Sequence, residues 1–382
     1  MSNTDKLRTW NVTLTTLSPL FIGSGKTLSP YSDFIQEGNN LIYLNQKKIE
    51  EAISNKPELI DEYVKEIRRR MNNTKSDASL KDFITTRLKL PLESVTLRKV
   101  PLQGNIGKQQ LRQFISTAGR PFIPGSTLKG AFRTAVLYDW LINDNNGKKL
   151  LEDFIENLEK TDSKNKEEKN EALKKIYNTD MEFRCFGEIS EDPFRFLKIT
   201  DSNCLEIKEI LAVEISRVST VNEKNESIPQ PSECLGVGST VKMKITIQKS
   251  NQNTKFSFLN NVEISDLIKK VSDFSKESIL RELDELEGNK NFSHIFKFYE
   301  ELETRIKNKE ILLRIGGGKT FFENSIGLAL DDDDSGEHLE LFLLAIKMPK
   351  YKKGVFPKTR TAVMKNNKPF QPLGWVKLSI NE

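Results

Sequence analysis

The sequence predicts a mixed α+β protein, and three observations support this class. Stretches that alternate polar and apolar residues stand near both ends of the 382-residue chain, as in "TWNVTLTTL" and "GWVKLSI", and predict strands. Stretches with apolar residues at every third or fourth position, notably within 261–308, predict helices. The two kinds of element do not alternate regularly, as a doubly wound parallel sheet requires, so the α+β class is favoured.

The first half of the chain begins with a strand at 9–17. A hairpin of two short strands follows in "DFIQEGNNLIYL", and helices are predicted at 46–55 and 57–71. The tract 72–113 has little periodicity and is interpreted as an insertion with some helix. A further helix is predicted from Ser126, as its N-cap, to about Ile142. The charged tract 151–175 predicts a solvated helical insertion.

The second half begins with strand-like stretches at "RFLKITDS" and "ILAVEISRVST". The prolines of "NEKNESIPQPSE", at 222–233, predict a linker. Beyond it, "STVKMKITIQ" and "EILLRI" predict strands on either side of two helices, while "LELFLLAIKM" fits helix or strand. We therefore expect one domain at 1–221, with insertions near 57–113 and 150–190, and a second at 234–382.

Composition narrows the classes of function. No apolar run approaches the roughly 20 residues of a membrane span, and the N-terminal residues lack the apolar block of a signal peptide. Three isolated cysteines, none in a CxxC spacing, predict a reduced cytoplasmic protein without structural zinc. Only two histidines, His294 and His338, are available for acid–base catalysis. The segment 347–382 carries nine Lys or Arg against one acid, which indicates a polyanionic partner.

Two glycine motifs, "FIGSGKT" and "RIGGGKT", resemble the end of a nucleotide-binding P-loop. Both fail that motif, because Leu20 and Leu313 stand where its first glycine must be. Successive glycine amides beside a lysine can instead form a nest for a phosphate. The alternative is a tight turn with an exposed lysine. The candidate phosphate-binding residues of the motifs are Gly23, Ser24, Gly25, Lys26, Arg314, Gly316, Gly317, Gly318 and Lys319.

The predicted helix at Ser126 supplies a second candidate surface. Ser126, Lys129 and Arg133 lie on one helix face, close to an N-terminus that favours anions. Phosphate contacts by lysine and arginine would suit this face. The alternative is an amphipathic helix with two surface cations. Lys358 and Arg360, in the basic C-terminal segment, complete the candidate set.

At this helix the sequence resembles a known family. The string "FIPGSTLKGAFRTAV" is similar to the signature of the RAMP proteins, subunits of CRISPR effector complexes. The order of "LSPLFIGSGKTLSPYSDFI", this helix, "ITDS", "LLRIGGGKTFFENSIG" and "PLGWVKLSI" resembles the fifth-subunit family of type III-A (Csm) complexes. The resemblance spans essentially the whole chain, although the two insertions carry little of it.

The resemblance implies two ferredoxin-like (RRM-like) RAMP domains with helical insertions. It implies a subunit that caps the effector filament at the 3′ end of the CRISPR RNA and supports maturation of that RNA in antiviral defence. The implied partners are CRISPR RNA, the Csm backbone subunit and other Csm subunits, and recruitment of a host nuclease stays open. No catalytic residue, cofactor or metal site is carried over.

Three hypotheses follow from the sequence. The first is a non-catalytic RNA-binding subunit, in which one of Phe321 and Phe322 stacks on a base and the other lies in the core. The second is a CRISPR-RNA-processing endoribonuclease of the same fold, in which Tyr or Lys would replace the missing histidine. The third is a docking adaptor with little RNA contact. The acidic run 331–334 is interpreted as a solvated loop, because four consecutive acids cannot all face one metal ion.

Overall fold

A computed structural model describes residues 6–54, 56–72, 80–160, 165–177, 179–221, 227–250, 253–330, 337–345 and 356–381. The described strands are β1 (Leu7–Thr16), β2 (Gly23–Leu28), β3 (Phe34–Glu37), β4 (Asn40–Leu44), β5 (Thr96–Gln103), β6 (Leu111–Phe114), β7 (Ser116–Thr117), β8 (Arg120–Pro121), β9 (Leu197–Ile199), β10 (Ile210–Val213), β11 (Ile215–Ser219), β12 (Ser227–Pro229), β13 (Ser232–Leu235), β14 (Thr240–Gln248), β15 (Ile311–Arg314), β16 (Thr359–Lys365), β17 (Lys368–Pro372) and β18 (Trp375–Asn381).

The described α-helices are α1 (Gln46–Ile53), α2 (Pro57–Asn72), α3 (Leu80–Asp82), α4 (Gly125–Asn143), α5 (Asn145–Lys160), α6 (Lys166–Tyr177), α7 (Thr179–Phe186), α8 (Ser257–Asn261), α9 (Ile264–Leu286), α10 (Ser293–Lys307), α11 (Gly327–Leu330) and α12 (Glu337–Ala345). A π-helical turn extends α3 through Phe83–Arg87. The mixture of sheets and helices confirms the α+β prediction.

The first and last strands of the chain lie side by side in one antiparallel sheet, whose order is β15-β18-β1-β14-β9. The connection β1–α4–β9 leaves room for β14 between its two strands, which is the split βαβ arrangement of ferredoxin-like folds. One face of this sheet is buried, through alternate residues such as Val12, Leu14, Met243 and Ile245. The same apolar cluster contains the buried stripe of α4.

A seven-stranded mixed sheet has the order β2-β6-β13-β10-β5-β4-β3, and β12-β11-β16-β17 form a third sheet. Strand β5 lies inside the sheet although sequence periodicity gave no sign of it. Part of the predicted linker is also strand, since β12 and the first two residues of β13 lie within 222–233. Residues 222–226 lie outside the described part. Strands from both sides of the predicted domain boundary share two of these sheets, and the boundary itself stays a prediction.

Most local predictions agree with the structure. The β3–β4 hairpin, α1, α2, α9, α10 and β18 lie where the sequence patterns predict them. The ambiguous stretch "LELFLLAIKM" begins as a helix, α12. The helix expected from Ser126 is α4, but Ser126 lies in its first turn and Pro124 is its N-cap, so the predicted capping role of Ser126 was wrong.

Candidate nucleic-acid interface

The first glycine motif is an irregular edge strand, whereas the sequence analysis expected a turn. Strand β2 pairs with β6, and the register of the pair shifts between Gly23 and Thr27. Gly25 has a φ of +79° and Lys26 is exposed. The hydroxyl of Ser24 donates to the Gln113 carbonyl at 3.3 Å. No helix follows the motif directly, which agrees with the exclusion of a P-loop.

The second glycine motif packs against the first. The N–H of Gly317 donates to the carbonyl of Phe21 at 2.8 Å, and a Cβ on Gly316 would lie 2.4 Å from that carbonyl oxygen. Gly316 itself has a φ of +72°. The group that approaches these glycines so closely is therefore the Phe21 carbonyl of the protein itself, and not a ligand. The Gly317 amide is used internally, so it is not part of a phosphate nest in this conformation.

Arg314 fixes this glycine loop from within. Its side chain is buried, and its Nη1 lies 2.9 Å from both carboxylate oxygens of Glu323. Nη2 donates to the Gly318 carbonyl at 2.8 Å, and Nε donates to the Leu373 carbonyl at 2.9 Å. Glu323 also accepts the Thr320 N–H at 2.6 Å. The guanidinium predicted to contact RNA is thus engaged in holding the loop.

Lys319 differs from its neighbour Arg314. It is half-buried beside the glycines, and no hydrogen bond or ion pair engages its amino group within the described part of the chain. Burial lowers the pKa of Lys319; Glu323 opposes this effect and Arg314 adds to it. A cation that has lost part of its hydration without gaining a carboxylate partner favours an anion from outside.

The start of α4 is fastened by the "ITDS" motif. Asp201 Oδ1 accepts the Gly125 N–H at 2.8 Å, and the Ser202 hydroxyl accepts the Ile123 N–H at 2.9 Å. A carboxylate therefore already lies at this positive helix end, which the sequence analysis expected to be open to phosphate. The sequence pattern does not single out Asp201, although this residue lies within the "ITDS" motif.

The exposed face of α4 carries the three predicted residues together. Ser126 is exposed, whereas Lys129 and Arg133 are half-buried. Arg133 pairs with Asp192 at 2.5 Å and lies 3.7 Å from the centroid of the Phe186 ring. Lys129 has no such pair in the described structure, and burial lowers its pKa despite the field of Asp192. Lys129 thus resembles Lys319, because each is half-buried and neither has an ion-pair partner among the described residues.

The C-terminal candidates are less accessible than the sequence suggests. Arg360 is buried, and its Nε pairs with Glu282 at 2.8 Å while Nη1 donates to the Pro357 carbonyl at 2.6 Å. Lys358 is half-buried and its carbonyl accepts the Thr220 N–H. Most of the basic stretch before it, at 346–355, lies outside the described residues, as does the acidic run 331–334.

The two phenylalanines after the glycine loop both pack within the protein. Phe322 is 1% exposed, which agrees with the expectation that one of the pair is core. Phe321 is half-buried, and its ring lies 5.0 Å from that of Phe356 in an edge-to-face contact. Its T-shaped contact with Phe322 further limits the area left for a base.

The two histidines lie on different helices. His294 is an exposed residue of α10 whose ring lies 5.4 Å from that of Phe370, and His338 lies in α12. Over the residues that the structure describes, no three His, Cys, Asp or Glu side chains are grouped to hold a metal ion. The same residues include no helix long and apolar enough to cross a membrane.

Comparison with known proteins identifies the family to which the chain is similar. The model of the RAMP superfamily matches residues 13–322. A protein of Methanocaldococcus jannaschii described as "CRISPR system Cms protein Csm5" is 27% identical, over 96% of this chain and 88% of its own length.

Solved structures share the fold. A chain of the "Csm-crRNA-target RNA ternary complex in type III-A CRISPR-Cas system" has a TM-score of 0.72 at 23% identity, with 97% of this chain and 100% of that chain covered. The crystal structure of T. onnurineus Csm5 has a TM-score of 0.64 at 22% identity, with 96% of this chain and 99% of that chain covered.

Proposed function

Because the chain belongs to the RAMP superfamily, we propose that it is a non-catalytic RNA-binding subunit of a type III-A CRISPR (Csm) interference complex. The Csm5 description of the M. jannaschii relative supports the assignment to this subunit. The structural likeness to a chain from a complex with CRISPR RNA and target RNA supports the partners, which are CRISPR RNA and other Csm subunits.

In the proposed role, the protein acts in the cytoplasm. It caps the effector filament where the 3′ part of the CRISPR RNA ends, and it supports maturation of that RNA. A capping subunit must hold a strand whose sequence varies from guide to guide. Contacts to phosphate and sugar meet this need, because they position RNA without reading its bases.

The observation that carries the proposal is the contrast among the predicted cations. Arg133, Arg314 and Arg360 are paired with carboxylates, at 2.5, 2.9 and 2.8 Å. Lys129 and Lys319 are half-buried and have no such partner in the described chain. An RNA phosphate would supply the anion that both lysines lack.

The arginine–carboxylate pairs would then hold in place the loop and the helix face that carry the two lysines. The Arg314–Glu323 pair fixes the loop that carries Lys319, and the Arg133–Asp192 pair lies on the helix face that carries Lys129. Exposed Lys26 and Ser126 would extend these two contact points. In this proposal the arginines build the surface and the lysines contact the RNA.

The test is a double variant, Lys129→Gln with Lys319→Gln, measured for binding to labelled single-stranded RNA across a range of salt concentrations. Each lost phosphate contact on a single strand lowers the salt slope by about 0.7, so the slope should fall by about 1.4 and the affinity about 25-fold at 0.1 M salt. Because burial lowers the pKa of both lysines, wild-type affinity should also fall at a lower alkaline pH than ordinary lysines would dictate.

The matched control is Lys269→Gln with Lys307→Gln. These lysines are 71% and 68% exposed and pair with helix neighbours, so the control changes the net charge equally but should leave the slope unchanged. An unchanged slope in the Lys129/Lys319 variant would favour the adaptor hypothesis. Metal-independent, sequence-specific cleavage of repeat RNA by the pure wild-type protein would favour the endoribonuclease.

A further inference from the structure

The outer face of the five-stranded sheet carries a second ordered set of cations. In β1, β14, β9 and residues 377–381 of β18 the apolar residues lie on the opposite face, so alternate residues of these strands point outward. Where β15 joins β18, Leu312 and Trp375 lie on this outer face but are buried in a cluster with residues of α10. Strand register arranges these outward residues in rows that cross the sheet. The first two rows consist of Thr9, Thr246 and Lys198, then Asn381, Asn11 and Lys244.

The next two rows continue the pattern along the strands. They consist of Ser379, Thr13 and Lys242, then Lys377, Thr15 and Thr240. Each row thus holds one lysine among short hydroxyl or amide side chains. None of these twelve positions is acidic or aromatic. Rows two residues apart along a strand are separated by about 7 Å, so the lysines follow one another across the face.

Most of these lysines are free to meet a ligand. Lys198, Lys242 and Lys244 are exposed, and no described carboxylate pairs with any of them. Lys198 donates to the Gln248 side chain at 3.0 Å, which directs its amino group along the face. Lys377 alone is paired, with Glu310 at 2.9 Å.

An ordinary solvated face of this protein looks different. Along α9 and α10, exposed lysines alternate with acids and pair with them, as Lys269 does with Asp273 and Lys307 does with Glu303. The twelve row positions hold four lysines and no acid, and Glu310, which pairs with Lys377, comes from beside the rows. Exclusion of acids is what a polyanion requires.

A concavity close to the edge strand β9 is also lined by cations. The 3₁₀ turn Pro193–Phe196 runs directly into β9, and the concavity beside it has Arg184, Arg195 and Lys255 in its lining, all exposed. Lys255 donates to the Arg184 carbonyl at 2.8 Å, which holds it at the rim. Glu191 is the one acid among the lining residues that the structure describes.

We infer that the open face of this sheet is a track for single-stranded RNA, with Lys242, Lys244 and Lys198 on successive phosphates. The inference rests on the proposed RNA-binding function and adds a surface to it. Threonine, serine and asparagine side chains donate hydrogen bonds to phosphate and to ribose hydroxyls. Without aromatic side chains to stack bases, the track holds the backbone and tolerates any sequence.

The experiment uses the full chain carrying Lys198→Gln, Lys242→Gln and Lys244→Gln together, with a labelled single-stranded oligoribonucleotide of mixed sequence. Three lost contacts should lower the salt slope by about 2 and the affinity about 100-fold at 0.1 M salt. The control neutralises Lys148, Lys149 and Lys166, which are exposed on α5 and α6, and should leave the slope unchanged. All substitutions are at exposed positions, and circular dichroism checks the fold of each variant.

The outcomes separate this inference from the proposed function. If the wild type binds RNA and the sheet variant keeps its slope, the track is wrong while the proposed function stands. If the control loses as much slope as the sheet variant, net charge explains the loss and the track is also wrong. If the wild type does not bind RNA, the proposed function itself fails.

Chemical acetylation distinguishes RNA from a protein partner on this face. Added RNA should protect Lys198, Lys242 and Lys244 from the reagent, as read by mass spectrometry. Protection by a neighbouring Csm subunit, with RNA leaving the three lysines reactive, would overturn the track in favour of a protein interface.

Discussion

Replacing Glu323 by Gln tests whether a buried ion pair builds the glycine loop. The substitution keeps the shape of the side chain and removes its charge. Arg314 and Glu323 are 4% and 2% exposed, so the guanidinium would remain buried without its counter-ion. The Ser278 hydroxyl donates to one oxygen of Glu323 at 3.0 Å and the Thr320 N–H donates to the other, so the single oxygen of the new amide can replace only one of these acceptors.

The magnitude follows from this burial. Breaking a buried pair by neutralising one partner costs about 3–5 kcal/mol, because the remaining charge is uncompensated. At roughly 2.1 cal/mol/K of unfolding entropy per residue, a chain of 382 residues loses about 5 °C in Tm for 4 kcal/mol. Arg314→Met should cost a similar amount, since it leaves the carboxylate of Glu323 buried alone.

The assay is a double-mutant cycle measured by thermal unfolding. The Arg314→Met/Glu323→Gln double variant should be more stable than the sum of the single losses predicts, by at least about 2 kcal/mol, because neither charge is left unpaired. Glu303→Gln, which breaks an exposed pair with Lys307, is the control and should cost less than about 0.5 kcal/mol. Additive losses, or a Glu323→Gln cost no larger than the control's, would refute the reasoning.

The contribution of the Arg314–Glu323 pair to stability should depend on pH. Burial raises the pKa of Glu323, but Arg314, the Thr320 N–H and the Ser278 hydroxyl outweigh it and hold that pKa below its usual value. A carboxyl whose pKa is lowered by folding contributes stability that is present above its unfolded value and is lost as pH falls through its folded value. The stability difference between wild type and Glu323→Gln should therefore shrink in acid.

Three further predictions test other parts of the site. Gly374→Ala should destabilise the protein far more than Gly25→Ala, as measured by urea unfolding. Both glycines have a positive φ, 85° and 79°, but only at Gly374 would a Cβ lie 2.2 Å from a main-chain oxygen. Asp201→Ala should cost about 1 kcal/mol by uncapping Gly125, and Asp201→Asn less; equal losses would contradict the capping role. A thiol reagent should label half-buried Cys204 in the native protein, while the two buried cysteines, whose thiol pKa burial raises, should react only after unfolding.

Local sequence patterns were sufficient to predict most of the secondary structure. Period and capping depend on neighbours in sequence, so α9, α10, β1 and the β3–β4 hairpin could be predicted from the residues alone. Strand β5 could not, because its place inside a sheet depends on partners far away in the chain. Strand β2 was missed because glycines in an irregular edge strand look like a turn.

In the candidate site, too, local sequence patterns predict some features, and others depend on residues that are distant in the chain. The pattern Ser126, Lys129, Arg133 correctly predicted one helix face, because a helix relates residues three and four apart. Whether a cation on that face is free depends on carboxylates from elsewhere, such as Asp192, and no local pattern reveals them. The burial of Arg314 against Glu323 and the Leu373 carbonyl depends on distant partners in the same way.

The two glycine motifs show how a repeated string can hold two different structures. The antiparallel sheet places the first and last strands side by side, which brings the segments that follow β1 and β15 together. One motif then supplies a carbonyl, at Phe21, and the other supplies the glycine amide that binds it. Each therefore needs small residues for a different reason: the first for an irregular edge, the second for close approach to the first. Of the cations in the two strings, Lys26 and Lys319 have side chains without an ion-pair partner among the described residues. In the proposed function these two lysines, and not the glycine amides, would contact the RNA.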